Sequence, residues 1–196
     1  MKKLFFILLL LMLTSTAFAD DFMARKQVKV GESVADFTLQ NMADKPVKLS
    51  DLKGKVVMLH FWSAKCPFVV RYEDRLRAIT ADYKDKGVVI YAIDSNVTET
   101  KGQILKEAAN RKLNYAILLD PDQKVADQFG AITTPHVFIL DKEGKLVYEG
   151  AVDDEGWKEG GPINNQYVRK ALDAVLVGQP VNPSETKTVG CTVKRK

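Results

Sequence analysis

The chain has 196 residues, 46% of them hydrophobic and 28% charged, with a formal net charge of +4 at neutral pH. Basic and acidic residues are interspersed rather than gathered into a stripe, which argues against a nucleic-acid surface. Two cysteines and two histidines are too few for a disulfide-built scaffold or a four-cysteine zinc site, and no glycine-rich nucleotide loop is present, so neither a metal nor a cofactor is expected.

Residues 1–19 read as an export signal: Lys2 and Lys3, an apolar run over 4–13, and the small-x-small pattern Ala17-Phe18-Ala19. The run is nearer half of the roughly 20 apolar residues a spanning helix needs. The expectation is cleavage near Ala19, no permanent membrane anchor, and a periplasmic or secreted mature protein. Residues 20–30 are polar and mixed, the pattern of a mobile lead-in.

Residues 37–39 and 47–49 predict short strands around Asp44-Lys45-Pro46. Residues 56–62 form a nearly continuous apolar run of strand formers, as in a central strand buried on both faces. Pro67 opens a helix predicted to reach Lys86, with Val69, Tyr72, Leu76, Ile79 and Tyr83 along one face and Gly87 as its stop. Residues 88–93 predict a second buried strand, 101–111 a helix, 117–119 an edge or crossover strand, and 124–129 a short helix ending at Gly130. Residues 136–140 and 146–151, joined by Asp141-Lys142-Glu143-Gly144, read as a hairpin.

An acidic, glycine-containing loop over 153–161 is expected to face solvent. The last helix is expected over 164–177, capped by Asn164 or Asn165, with Val168, Leu172 and Val175 inward. Strands alternating with helices and ending in a hairpin and a helix imply an α/β fold: one sandwich domain over 31–178 with a central mixed β-sheet flanked by helices, and a polar tail over 179–196 carrying Cys191.

Cys66 stands between a buried strand and a helix whose first residue is Pro67. There the sulfur faces the positive end of the helix dipole, a place that favours thiolate, the nucleophilic form in disulfide exchange and peroxide reduction. A buried, inert cysteine is the plain alternative.

The stretch Phe61-Trp62-Ser63-Ala64-Lys65-Cys66-Pro67 resembles the active-site approach of thioredoxin-like thiol-disulfide oxidoreductases of the redoxin and alkyl-hydroperoxide-reductase/thiol-specific-antioxidant group. The segment 30–39 is similar to that group's opening strand, and Thr134-Pro135 to its cis-proline loop. The resemblance implies a thioredoxin-like sandwich, Cys66 as nucleophile, Pro135 packed against it, and Trp62, Pro67 and Thr134 at the substrate face. It also implies partners that are protein or small-molecule thiols, disulfides or hydroperoxides.

The familiar Cys-x-x-Cys motif would place a second cysteine at 69, but the chain has Val69. Three routes remain open. Cys191, in an ending that resembles the Gly-Cys-[Ser/Thr]-[Ile/Val]-Lys tail of a peroxiredoxin-like branch, could swing in to resolve an oxidised Cys66. A static structural bridge or a free tail thiol are its alternatives. Peroxidase chemistry would use Ser63 at the hydroxyl position with Arg71 or Arg75, although Leu59 stands where that motif has proline. Monothiol exchange at Cys66 needs no second cysteine.

His60 occupies the position of the buried acid of thioredoxins, where an imidazole would relay protons or simply sit hydrogen-bonded in the core. His136 is equally ambiguous. The competing function of a different class is a noncatalytic thioredoxin-fold binding module.

Overall fold

The computed structural model describes residues 27–196; the expected signal and the first part of the lead-in lie outside them. Thirteen regular elements follow in order: β1 (Thr38–Asn41), β2 (Pro46–Lys48), β3 (Val56–Trp62), α1 (Pro67–Tyr83), β4 (Val88–Asp94), α2 (Lys101–Asn110), β5 (Ala116–Leu119), α3 (Lys124–Phe129), β6 (Thr133–Thr134), β7 (His136–Leu140), β8 (Leu146–Gly150), α4 (Tyr167–Leu176) and β9 (Cys191–Thr192). Seven strands form one mixed sheet in the order β2-β1-β5-β4-β3-β7-β8, and β6 and β9 pair separately. Among the described residues no helix is long and apolar enough to cross a membrane.

The apolar run of β3 makes it the centre of the sheet, parallel to β4 on one side and antiparallel to β7 on the other. Strand side chains alternate between faces. Val56, Met58 and Trp62 therefore join a core with Val69, Leu76 and Ile79 of α1, Ile104 of α2 and Val168 and Leu172 of α4. Val57, Leu59 and Phe61 join the opposite core with Phe129 of α3 and Phe138. Phe61 is wholly buried with its ring 5.6 Å from that of Phe138, so its truncation to alanine would cost about 3–5 kcal/mol.

The helix α1 starts where expected, at Pro67, because proline has no amide to lose in the first turn. A short 3-10 turn over Lys84–Lys86 follows it, and Gly87 terminates the segment in the left-handed region at φ +80°, a conformation that glycine adopts without penalty.

Four expectations are corrected. The strand β5 lies inside the sheet between β1 and β4 rather than at an edge. The helix α4 begins at Tyr167, because the amides of Asn164 and Asn165 donate to Asp154 Oδ1 at 2.9 and 3.0 Å and hold that stretch out of the helix. The acidic loop is solvated only in its second part: residues 157–160 are exposed as expected, but Asp153 and Glu155 are 3% and 9% exposed. Arg75, four residues after Arg71 and on the same helix face, binds both carboxylates, at 2.6 and 2.5 Å. The end of the lead-in is docked, with the Val28 amide donating to Gln128 O at 2.9 Å.

The tail is likewise docked. Thr186 Oγ1 accepts from the Ala151 amide at 2.9 Å, the Val193 amide donates to Ile132 O at 3.0 Å, and Val193 is buried. The resulting strap runs from β8 across the end of β3 to the start of α3, and it carries the second cysteine into the sheet's carboxyl end.

Candidate active site

The strand β3 delivers the chain to residues 63–65, and the Glu99 carboxylate fixes that turn. It accepts from Ser63 Oγ at 2.5 Å, from the Ala64 amide at 2.7 Å and from the Lys65 amide at 3.2 Å. Lys65 Nζ donates to Thr98 O. Cys66 is the N-cap of α1, 1% exposed, with extended backbone. Its thiol donates to the carbonyl of Thr134 at 3.1 Å across 68 residues of sequence.

The Thr134–Pro135 peptide is cis, and Thr134 and Pro135 are both buried. In the two-stranded ribbon, Thr134 stands directly opposite Cys191. Cys66 and Cys191 are both free thiols. They lie against one another: burial, then hydrogen bonding and charge from Cys66, push the Cys191 thiol up to about 11, only partly offset by the Phe68 amide and Lys194. The Cys66 sulfur is thus closed off from solvent yet held on the threonine-proline turn with the second sulfur beside it.

The remaining expected residues separate into those that join this site and those that do not. Pro67 is exposed at the first turn of α1. Trp62, expected to flank the substrate face, is instead wholly buried, with Nε1 donating to Glu73 Oε2 at 3.5 Å and the Arg111 guanidinium 5.4 Å from its ring centroid. Ser63 spends its hydroxyl proton on Glu99. Arg71 reaches the carbonyls of Gly156 and Trp157, and Arg75 the acidic loop. The three groups considered for peroxide activation are therefore engaged elsewhere.

His60 shares the face of Met58 and Trp62. Its ring is wholly buried, meets that of Tyr115 edge-on at 4.8 Å, and neither nitrogen has a hydrogen-bond partner among the described residues. Burial pushes its pKa down to about 3, so it is neutral at physiological pH and has no hydrogen-bonded path to Cys66. His136 is pushed down to about 4 by the same cause and packs on Phe138.

Several polar residues escaped the sequence reading. Glu73, raised above the ordinary carboxylate range by burial, accepts from the Tyr115 hydroxyl and Trp62. Arg111 donates to the carbonyl of Ala64, two residues before Cys66. Asp94 is pushed up to about 8, first by burial and then by the Glu99 carboxylate turned toward it. The one available signal was the polar run Asp94-Ser95-Asn96 closing an apolar strand, since sites in parallel sheets gather beyond the strands' carboxyl ends.

A central mixed sheet between helical layers, with a cysteine capping the helix after the central strand and a cis-proline turn against its sulfur, defines a thioredoxin-like redox protein. The family model described as the AhpC/TSA family matches residues 30–149, and the chain belongs to that family. It is 30% identical over 155 residues to the thiol-disulfide oxidoreductase ResA of Bacillus anthracis, covering 75% of this chain and 88% of the relative. An uncharacterized conserved protein from Geobacillus kaustophilus has a solved structure that is 32% identical, with a TM-score of 0.80, covering 87% of this chain and 94% of that one. A putative thiol:disulfide interchange protein DsbE from Chlorobium tepidum, 23% identical with a TM-score of 0.61 over 78% of this chain and 98% of its own, shares the fold.

Proposed function

We propose that this chain is a thiol-disulfide oxidoreductase in which Cys66 attacks a partner disulfide and Cys191 resolves the intermediate. The observation that carries the reading is the register of the small ribbon: Cys191 faces Thr134, whose carbonyl accepts the Cys66 thiol. With Val69 in place of a cysteine one turn into α1, the second sulfur reaches the first from the tail rather than from the helix. A resolving role agrees with its neighbourhood, since a thiol held near 11 stays protonated and leaves the first attack to Cys66.

The cycle balances without a cofactor. Cys66 gives up the proton it donates to Thr134 O, and its thiolate attacks one sulfur of the partner disulfide, forming a mixed disulfide and releasing the other partner sulfur as a thiolate that takes up that proton. Cys191 gives up its proton and attacks the Cys66 sulfur; the Cys66–Cys191 bond forms and the remaining partner thiolate leaves. The partner gains two electrons and two protons, and a dithiol reductant returns the pair to its starting state. The apolar run over 4–13 and the small residues at 17–19 support export, placing this exchange outside the cytoplasm.

Incubation with oxidised glutathione followed by peptide mass mapping tests the assignment. Wild type is expected to yield an intramolecular Cys66–Cys191 peptide, Cys191→Ser a glutathione adduct on Cys66, and Cys66→Ser no adduct on Cys191 at neutral pH. An adduct confined to Cys191 would reverse the roles, and unmodified thiols in all three would leave the binding-module reading in its place.

A further inference from the structure

The strap is held on both sides of Cys191. Upstream it pairs with β8, the Glu149 amide donating to Ser184 O at 2.9 Å and the Thr186 amide to Glu149 O at 3.0 Å, and the Thr133 and Thr188 hydroxyls join at 2.9 Å. Downstream, the backbone of Lys194 is gripped on both polar atoms. Its amide donates to Asn96 Oδ1 at 2.9 Å, and its carbonyl accepts from the Val97 amide at 3.1 Å and from Gln123 Nε2 at 3.0 Å.

Asn96 and Gln123 are 7% and 6% exposed, well buried for amide side chains. Asn96 Nδ2 donates to the carbonyl of Trp62 at 3.1 Å, the last residue of the strand that feeds Cys66. One side chain thus joins the segment that carries the nucleophile to the segment that carries the second thiol. Gln123 ties the same point to Ser95 O at 2.8 Å and accepts the Lys196 amide at 3.2 Å.

We propose that Asn96 and Gln123 are positioning residues that form a latch on the Lys194 peptide. The latch registers Cys191 on Cys66 and, by holding β9 along β6, keeps extended segments of partner proteins off that edge. The first half rests on the exchange reading above; the second does not. Two thiols held in register react at a high effective concentration, which falls when one is released onto a flexible tether. The freed edge of β6 then offers unpaired backbone groups, which is how a sheet edge accepts an added strand. Opening the latch therefore moves the two reactivities in opposite directions.

The test uses full-length Asn96→Ala and Gln123→Ala. In glutathione redox buffers each is expected to lower the effective concentration of Cys191 toward Cys66 roughly tenfold, the scale of one or two lost hydrogen bonds. In a Cys191→Ser background each is expected to speed iodoacetamide alkylation of Cys66 and hydrogen exchange at the Val193 amide. A general loss of fold would expose every core amide together and lower the melting midpoint broadly, a pattern that would overturn the proposal. So would alkylation and exchange rates equal to the parent's in both variants. If wild type forms no bridge, the exchange reading fails, while the alkylation and hydrogen-exchange arms still decide the latch.

Discussion

The two cysteines reach the same point by opposite strategies. Cys66 is placed by its immediate neighbours: a buried strand before it, proline after it, and the first turn of a helix around it. Cys191 is placed by a tail with little regular structure, through hydrogen bonds such as that of the Lys194 amide to Asn96, 98 positions before it in sequence. The difference teaches that the position of Cys66 is set by local elements, whereas that of Cys191 depends on contacts the tail makes with residues far from it in sequence.

Gly190→Val should break this contrast most sharply. A Cβ at Gly190 would fall 2.2 Å from Thr134 O, a backbone atom that cannot give way, so the strap must lift. Overpacking of this kind costs about 1–3 kcal/mol. Mass mapping should find the Cys66–Cys191 bridge lost under oxidising conditions that close it in wild type. Alkylation of Cys66 should accelerate, because the lifted strap uncovers its sulfur while β3 and α1, which carry it, stay in place.

A graded, pH-dependent effect should sharpen the role of the 94–99 loop, which touches both cysteine-bearing segments. Asp94 has a folded pKa near 8 against an ordinary value of 3.8. Between those values the native state keeps a proton that the unfolded chain has released. Its contribution is therefore complete below pH 4 and is lost as pH rises to about 8, with a slope of at most about 1.4 kcal/mol per pH unit. Asp94→Asn, which mimics the protonated form, should flatten that part of the stability profile in urea titrations run from pH 4 to 9.

The smallest effect belongs to His60. Its neutral ring has no polar partner to lose, so His60→Leu should change stability by no more than about 1 kcal/mol at pH 7. It should remove a destabilising contribution that grows as pH falls from 6.5 toward 3, since the unfolded histidine takes up a proton that the buried ring refuses. The pH dependence of Cys66 alkylation should not move, and a displaced profile would restore the proton relay.

Much of the framework was legible because its signals are local. The continuous apolar run of β3, proline opening α1, glycine closing α3 and the turn residues Asp141-Lys142-Glu143-Gly144 between β7 and β8 each act within a few residues, and those strands and helix starts stand where expected. The face taken by His60 was not legible, because a strand buried on both sides carries no polar alternation to mark it. The β6–β9 ribbon was hidden for another reason: two-residue strands have no periodicity, and their pairing depends on contacts made after the chain has folded back. Glu99 and Gln123 were missed on the same ground, since nothing near them in sequence indicates where their side chains turn, whereas Asn96 lies in the polar run that closes β4. The buried acidic loop had a readable cue in Arg71 and Arg75, one helical turn apart, which need counter-charges where α1 packs.

Drawing its second sulfur from the chain's end gives oxidation a topological side effect. A bond from Cys66 to Cys191 would close a ring over every element from α1 to β9, leaving β1, β2 and β3 outside it, and a ring on the order of 100 residues removes about 4–5 kcal/mol worth of freedom from the denatured chain. A two-residue spacing within the helix would restrict that ensemble very little. Electron transfer and resistance to heat are thereby joined in one covalent bond.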